Sequence, residues 1–419
     1  MEFNIQDNKP ALLGGPKAFT GKVSRWPIYD ESEEQALLEV LHSNNWGRLD
    51  GDVTAKFEAE YAKMMGMKHA LGTSGGTTAL YTMLGALGIG PGDEVIMPAY
   101  TFVATYNVVV LNYALPVLID TDINSFQIDP QKMEKAITKE TKVLMPVHMG
   151  GIPADLDKIM SIANKYKITV IEDACQAPGS EWKGKKLGSY GIGAAFSFQS
   201  SKNLNTGEGG AITTNNSDFY KTCYAFHHQG QTENAASFGT GEGTRGTNCR
   251  MTEWQARILL AQMTRFRAQD KIRTDNAAYL AKLISDIPGI YPAKPYSAST
   301  YISYHLFMFR YDPKGFAGMS RARFIEAMRA EGASVMTGYG RLDRDNYVLA
   351  LAKNPHYLSV YGEKFMKQWL ERIKCPQNEK LTDQALWIGQ PALLGSRQDM
   401  DQIAEAMRKI QKYAKDLKN

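Results

Sequence analysis

"FSFQSSKNLNTGEGGAI" runs from Phe196 to Ile212 and holds a single lysine, Lys202. An apolar run leads into a serine-bearing turn, the turn carries the lysine, and a glycine-rich return leads out toward a second apolar run. One reading is a solvent-exposed loop lysine. The other is a lysine held where strand meets turn at the mouth of a sheet, placed to bond covalently with a carbonyl compound. The surrounding sequence separates the two.

From about Lys68 to Thr214, short β-branched runs alternate with segments of helical period. The strands are expected at His69–Gly72, Glu94–Pro98, Pro116–Asp120, Lys142–Val147, Thr169–Glu172, Ala194–Phe198 and Gly210–Thr213. Helices are expected between the early ones, at Thr77–Leu87, Val103–Asn112 and Asp155–Lys165. Strands separated by helices imply right-handed crossovers and an α/β fold, its mostly parallel sheet covered on both faces. GPGDEV (Gly90–Val95) and DTDINSFQIDP (Asp120–Pro130) are turn-rich connectors. After Gln229 the pattern changes. Gln229–Gly246 is polar, glycine-rich and aperiodic, and reads as a long loop. A long helix follows from about Thr252 to Ser285, then a smaller α+β domain with an apolar strand near Tyr304–Tyr311 and a helix after Ser320. A terminal helix opens at Ser396, where Asp399 completes a capping box and Met400, Ile403, Met407 and Ile410 form a core-facing stripe. The division falls at residues 1–265 and 266–419.

The 419 residues are 43% hydrophobic and 22% charged, an ordinary composition for a folded soluble chain of two domains. The net charge of +4 is spread along the length without a basic block, which argues against nucleic acid as a partner. The opening MEFNIQDNKPALLGG has an early acid and no sustained apolar core, unlike a signal peptide, and no run reaches bilayer-spanning length. Cys175, Cys223, Cys249 and Cys375 form no C-x-x-C pair. Such spacing speaks against a disulfide framework and structural zinc, and suits the cytoplasm.

Ligands of doubly wound sheets sit beyond the carboxyl ends of the strands, where three polar clusters are expected. GTSGGTTAL (Gly72–Leu80) opens a helix. Gly75 and Gly76 allow close backbone approach to an anion such as phosphate, and Thr77 adds a hydroxyl, although many helices open with Gly and Thr. In VIEDACQAPGS (Val170–Ser180), Asp173 directly follows an apolar strand; alone it reads as a cap or a structural hydrogen bond. Ser197 precedes Lys202 by five residues. Taken together, an anion cradle, a carboxylate and a lysine meet the needs of pyridoxal 5'-phosphate. Its phosphate wants a helix N-terminus, its ring nitrogen a carboxylate, and its aldehyde a lysine for a Schiff base. Phe102, in MPAYTFVAT (Met97–Thr105), is either a ring-stacking face or a core aromatic.

PGDEVIMPAYTFVAT, PVHMGGIPADLD, VIEDACQAPGS, FSFQSSKNLNTGEGG and GTNCRMTEWQARILLAQM, in this order, resemble the DegT/DnrJ/EryC1/StrS sugar aminotransferase family. The resemblance covers the chain from about Trp26 to the terminal helix. It implies the type I fold of pyridoxal phosphate enzymes, with a seven-stranded large domain and a smaller α+β domain. It implies that Lys202 makes the Schiff base and Asp173 pairs with the pyridine nitrogen. Gln176 would reach the ring hydroxyl or lie near the ring, Phe102 would stack on it, and Gly76, Thr77 and Ser197 would hold the phosphate. Asn248, with Arg250 beside it, would reach the phosphate of a neighbouring subunit, which implies a homodimer sharing its active sites. Cys249 stands where the family usually carries an aromatic, and His148 reads as scaffold. Trp46, Arg48 and Tyr339 are candidate acceptor contacts. The implied activity is ping-pong transfer of an amino group from L-glutamine or L-glutamate to a keto-cyclitol or keto-sugar. NKPALLGGPKAF and FRYDPKGFAGMSRARF favour the scyllo-inosose and 2-deoxy-scyllo-inosose subgroup. The alternatives are a nucleotide-linked keto-sugar aminotransferase and a pyridoxal phosphate-binding regulator without turnover. A dehydratase of the same family would have histidine in place of Lys202.

Overall fold

The computed structural model describes residues 9–233 and 245–418. The expected loop Gln229–Gly246 therefore lies partly outside the described residues. Seven strands build the large sheet: β1 (His69–Thr73), β2 (Glu94–Pro98), β3 (Leu115–Ile119), β4 (Thr141–Leu144), β5 (Thr169–Asp173), β8 (Gly193–Ser197) and β9 (Gly210–Thr214). Their order is β1-β9-β8-β5-β4-β2-β3, and only β9 runs against its neighbours. The strands β2, β3, β8 and β9 are buried at every position, as expected where helices cover both faces. The sequence placed all seven within a few residues. The largest difference is at β4, expected to reach Val147 but ending at Leu144, because Pro146 cannot donate to the ladder.

On one face pack α3 (Gly76–Ala86), α4 (Ala104–Leu111) and α7 (Ser217–His227), through Leu80, Met83, Val108 and Phe219. On the other lie α2 (Val53–Met65) and the start of α8 (Glu253–Ile284), meeting Phe196 and Phe198 through Phe57, Tyr61 and Leu259. Beside them α6 (Leu156–Tyr166) covers Ile96, Val117 and Val170 with Ile159 and Ile162. Helix α1 (Glu31–Ser43) lies along α8, and α5 (Pro130–Lys135) precedes β4. Local chemistry sets the helix ends. Thr252 and Gln255 form a capping box at α8, and Asp155 accepts from the Lys158 N–H at 3.2 Å to open α6.

The small domain is an antiparallel sheet ordered β10 (Ile290–Pro292), β12 (Leu306–Tyr311), β14 (Ala385–Gly389), β13 (Met336–Thr337). Helices α9 (Arg321–Ala330) and α14 (Arg397–Lys412) pack on it, and Met400, Ile403, Met407 and Ile410 are buried as their spacing predicts. Helix α15 (Ala414–Leu417) follows, and Ser396 and Asp399 do form the capping box. Helix α8 belongs to both cores, giving Phe266 to the first and Leu280 and Ile284 to the second.

The chain before Lys68 reads as irregular in sequence, yet it holds α1 and α2, whose apolar residues face α8 and β1 rather than a repeat of their own. Further features escape the sequence pattern. The N-terminal segment folds back onto the small domain, where Phe19 joins the core and the Ala11 and Ala18 N–H groups donate to Glu331 at 2.7 and 2.8 Å. Helices α10 (Asn346–Leu351), α11 (Pro355–Tyr361) and α12 (Glu363–Arg372) leave the small sheet and cover the large one. There the Trp369 indole donates to the Pro116 carbonyl at 2.7 Å, before α13 (Pro376–Gln384) returns to β14. A third sheet joins β6 (Glu181–Trp182) and β7 (Lys185–Lys186) to β11 (Ser299–Tyr301), tying the large domain to the entry of the small one.

Candidate active site

The sheet order brings together ends that lie far apart in sequence. Antiparallel β9 starts where β1 and β8 finish, so Gly210 lies opposite both Thr73 and Ser197, with Asp173 one strand further along. Crowding there is severe. A Cβ on Gly210 would lie 2.4 Å from the Gly75 carbonyl carbon, and one on Gly76 would lie 2.7 Å from the Ser197 Cβ and 2.8 Å from the Cys175 Sγ. Helix α3 opens from Gly75 in extended backbone with no side chain capping it, which leaves its first N–H groups to face outward. The hydroxyl of Thr78 turns back to the Gly75 carbonyl at 2.8 Å, whereas Thr77 is exposed.

Asp173 ends β5 and is buried. Its Oδ2 accepts from the Thr105 hydroxyl at 2.8 Å, that hydroxyl lies 2.8 Å from Thr101 Oγ1, and Oδ1 accepts from the Cys175 N–H at 3.2 Å. Lys202 is half-buried in the turn after β8. Burial pulls its pKa below the ordinary lysine value against the opposing pull of Cys175 and Asp173, so the three side chains share one electrostatic neighbourhood. Burial and the nearby Asp173 charge push the Cys175 thiol upward.

Glu172, one residue earlier, faces the other side of the sheet. It accepts from the Gly188, Tyr190 and Gly191 N–H groups at 2.9, 3.0 and 2.9 Å and meets His148 Nε2 at 3.1 Å. Burial raises its pKa, but the bonds from His148 and the backbone outweigh that and hold it below the ordinary glutamate value. Because His148 Nδ1 accepts from the Ala154 N–H at 3.1 Å, its hydrogen resides on Nε2. His148 is scaffold, as expected.

Gln176 accepts from the Gly150 N–H at 2.8 Å and donates to the Tyr339 hydroxyl at 3.0 Å. Tyr339 packs edge-on against Trp387 with ring centroids 4.6 Å apart and lies 6.1 Å from Phe102. Phe102 is 53% exposed, which removes the core-aromatic alternative. Asn248 is exposed, and its Oδ1 accepts from the Arg250 N–H at 3.3 Å. The next carbonyl, Cys249, accepts from the Ser74 N–H at 2.9 Å, so this segment runs beside the α3 cradle. Arg48 forms a two-pronged pair with Glu58 and is committed there, and Trp46 lies tilted against Trp254 with ring centroids 5.6 Å apart. Of the three candidate acceptor contacts, Tyr339 alone bonds to another candidate site residue. The sequence reading missed Thr101, Thr105 and Trp26, whose indole N–H donates to the Ser200 carbonyl at 2.9 Å. The four-residue spacing of Thr101 and Thr105 at a helix start was the available signal.

A lysine turn after one strand and a carboxylate ending its parallel neighbour, beyond a seven-stranded sheet with a small α+β domain, define an aminotransferase of the type I fold. The chain belongs to the DegT/DnrJ/EryC1/StrS aminotransferase family, whose signature matches residues 27–408. It is 31% identical over 410 residues to the L-glutamine:2-deoxy-scyllo-inosose aminotransferase of Streptoalloteichus tenebrarius, covering 94% of this chain and 96% of that one. It is 42% identical over 239 residues to the GDP-perosamine synthase of Caulobacter vibrioides, covering 57% and 63% of the two. The crystal structure of 3-amino-5-hydroxybenzoic acid synthase superposes with a TM-score of 0.83 at 28% identity, over 93% of this chain and 98% of that one.

Proposed function

We propose that the protein uses pyridoxal 5'-phosphate to move an amino group from L-glutamine or L-glutamate to a keto-cyclitol, with Lys202 as the covalent anchor. The observation that carries this is the convergence of Lys202, Asp173 and the cradle at Gly76. The donor set fits the cofactor. The first N–H groups of α3 and the Ser197 hydroxyl suit a phosphate, and the bare Cα of Gly76 lets the start of α3 lie close against Ser197. When bound, the cofactor supplies an electron sink for charge left on the substrate carbon. Asp173, oriented by Thr105, would hold a proton on the pyridine nitrogen. Gln176 and Phe102 would flank the ring. Lys202 carries the proton to and from the substrate carbon, and its lowered pKa keeps more of it as free amine at a given pH. Donor and acceptor use the site in turn.

Near-full-length similarity to an enzyme named for 2-deoxy-scyllo-inosose supports a cyclitol acceptor. The stretch of higher identity to GDP-perosamine synthase favours the second reading, a nucleotide-linked keto-sugar. An intact Lys202, Asp173 and Ser197 set speaks against a regulator without turnover. The chain is proposed to act as a homodimer in the cytoplasm. Support for the dimer comes from exposed Leu37, Leu38 and Leu41 on α1, with Trp46 and Leu49 following, and from exposed Asn248 beside the cradle. Among the described residues no helix is long and apolar enough to cross a membrane. The test is Lys202→Ala with a spectrum before and after L-glutamine. The variant should lose both the visible band of the lysine Schiff base and turnover; retained turnover refutes the reading. Wild type loaded with amino group should then return to its starting spectrum on adding a keto-cyclitol. Return only with nucleotide keto-sugars selects the second reading.

A further inference from the structure

We infer that Arg273 is a positioning residue for the lysine turn, acting through Trp26 and Gln390; the inference rests on Lys202 being the covalent anchor. The turn closes on itself through the Lys202 N–H to the Gln199 carbonyl and the Ser200 N–H to the Gly207 carbonyl, both at 2.8 Å, and side chains then tie it to the rest of the molecule. Three successive carbonyls in it are each bonded by a side chain. Trp26 Nε1 donates to the Ser200 carbonyl at 2.9 Å, Gln390 Nε2 reaches the Ser201 carbonyl at 3.4 Å, and Asn205 Nδ2 reaches that of Lys202 at 3.4 Å. Trp26 lies in the N-terminal segment and Gln390 immediately after β14, so two of the three anchors come from outside the large sheet.

Arg273, in the middle of α8, joins those two anchors. Its Nε donates to Gln390 Oε1 at 2.7 Å, and its guanidinium lies 5.0 Å from the centre of the Trp26 ring. It is fully buried. Burial, opposed by Asp270, brings it down to about 10. An ordinary buried ion pair does not account for it. Asp270 takes its hydrogen bond from the Ser303 hydroxyl at 2.6 Å, and Arg273 Nη1 and Nη2 have no hydrogen-bond partner among the described residues. The contacts this cation does make are those that fix the two anchors. Its Nε–H holds an amide oxygen while the flat face of the guanidinium lies against an indole, which a lysine ammonium cannot do in the same way. The arrangement therefore reads as a brace, with helix α8 holding the N-terminal segment and the small-domain edge against the turn that presents Lys202.

The test uses cofactor-free protein, so that it does not depend on turnover. Lys202 and the exposed Lys63 are labelled with trinitrobenzenesulfonate, and the rates are read by peptide mass spectrometry. Arg273→Met and Gln390→Leu should each speed labelling of Lys202 by about 5-fold relative to Lys63. Trp26→Phe, which keeps a ring but loses the indole N–H, should give a smaller rise. Arg273→Lys should restore part of the protection. In the loaded enzyme the same variants should lower kcat more than they raise the KM for the amino donor. Wild-type labelling in folded Arg273→Met and Gln390→Leu overturns the brace; should Arg273→Met fail to fold, Gln390→Leu and Trp26→Phe decide. Pyridoxal phosphate added to wild type should block labelling of Lys202. If it does not, the anchor assignment fails instead, whatever the variants do.

Discussion

Thr105 shows what a single hydroxyl contributes here. Its bond to Asp173 aims a buried carboxylate, and a hydrogen bond to a charged group is worth about 1.5–3 kcal/mol. Thr105→Val should lower kcat by about 10- to 100-fold with the fold intact, measured by steady-state kinetics beside circular dichroism. The glycines divide in a different way. Gly210→Ala drives a Cβ into the Gly75 backbone, which cannot yield, and should cost about 1–3 kcal/mol in urea denaturation. Gly76→Ala drives one toward Ser197 and Cys175, and its clearest effect should be weaker cofactor binding in a titration. Asp173 was legible because it sets a charge directly after an apolar strand, a placement that needs a reason, and Lys202 because a lone lysine in the turn after the next strand of the sheet completes the set with it. Thr105 was not. Its partner lies 68 residues away, and a threonine near a helix start has many ordinary explanations.

At the scale of elements, α2 illustrates why caps mislead. Asp52 stands at the N-cap but makes no side-chain capping bond there. The work is done by Glu253, two hundred residues on, whose carboxylate accepts from Val53 N at 2.7 Å, Thr54 N at 2.9 Å and the Thr54 hydroxyl while buried at the start of α8. Glu253→Ala should therefore cost about 2–3 kcal/mol by thermal or urea unfolding, and Asp52→Ala less than about 0.5 kcal/mol. The strands of the large sheet were readable because burial on both faces makes them continuous apolar runs. The two-residue strands β6, β7 and β13 were not, since so short a segment carries no period. Helices α10 to α12 went unread because their apolar residues answer to a sheet two hundred residues earlier in the chain.

For the molecule as a whole, acid should be the destabilising direction. Burial first, and the Arg48 cation second, hold His227 down to about 3. Unfolded, the same imidazole takes up a proton near 6.5. Its contribution is complete above pH 6.5 and drains away as pH falls toward 3, by up to about 1.4 kcal/mol per pH unit. Urea midpoints at pH 7.5 and 5.0 should fall more for wild type than for His227→Asn; equal falls would remove this histidine from the account. The third sheet has a consequence of its own. Trp182 pairs with Ser299, Glu181 with Tyr301, and the Ser180 hydroxyl bridges the Gly151 carbonyl and the Ser303 N–H. A stitched seam of this kind resists any jaw-like gape between the lobes. Nitrogen giver and nitrogen taker must then queue at one rigid doorway, and an excess of either should hold the other out.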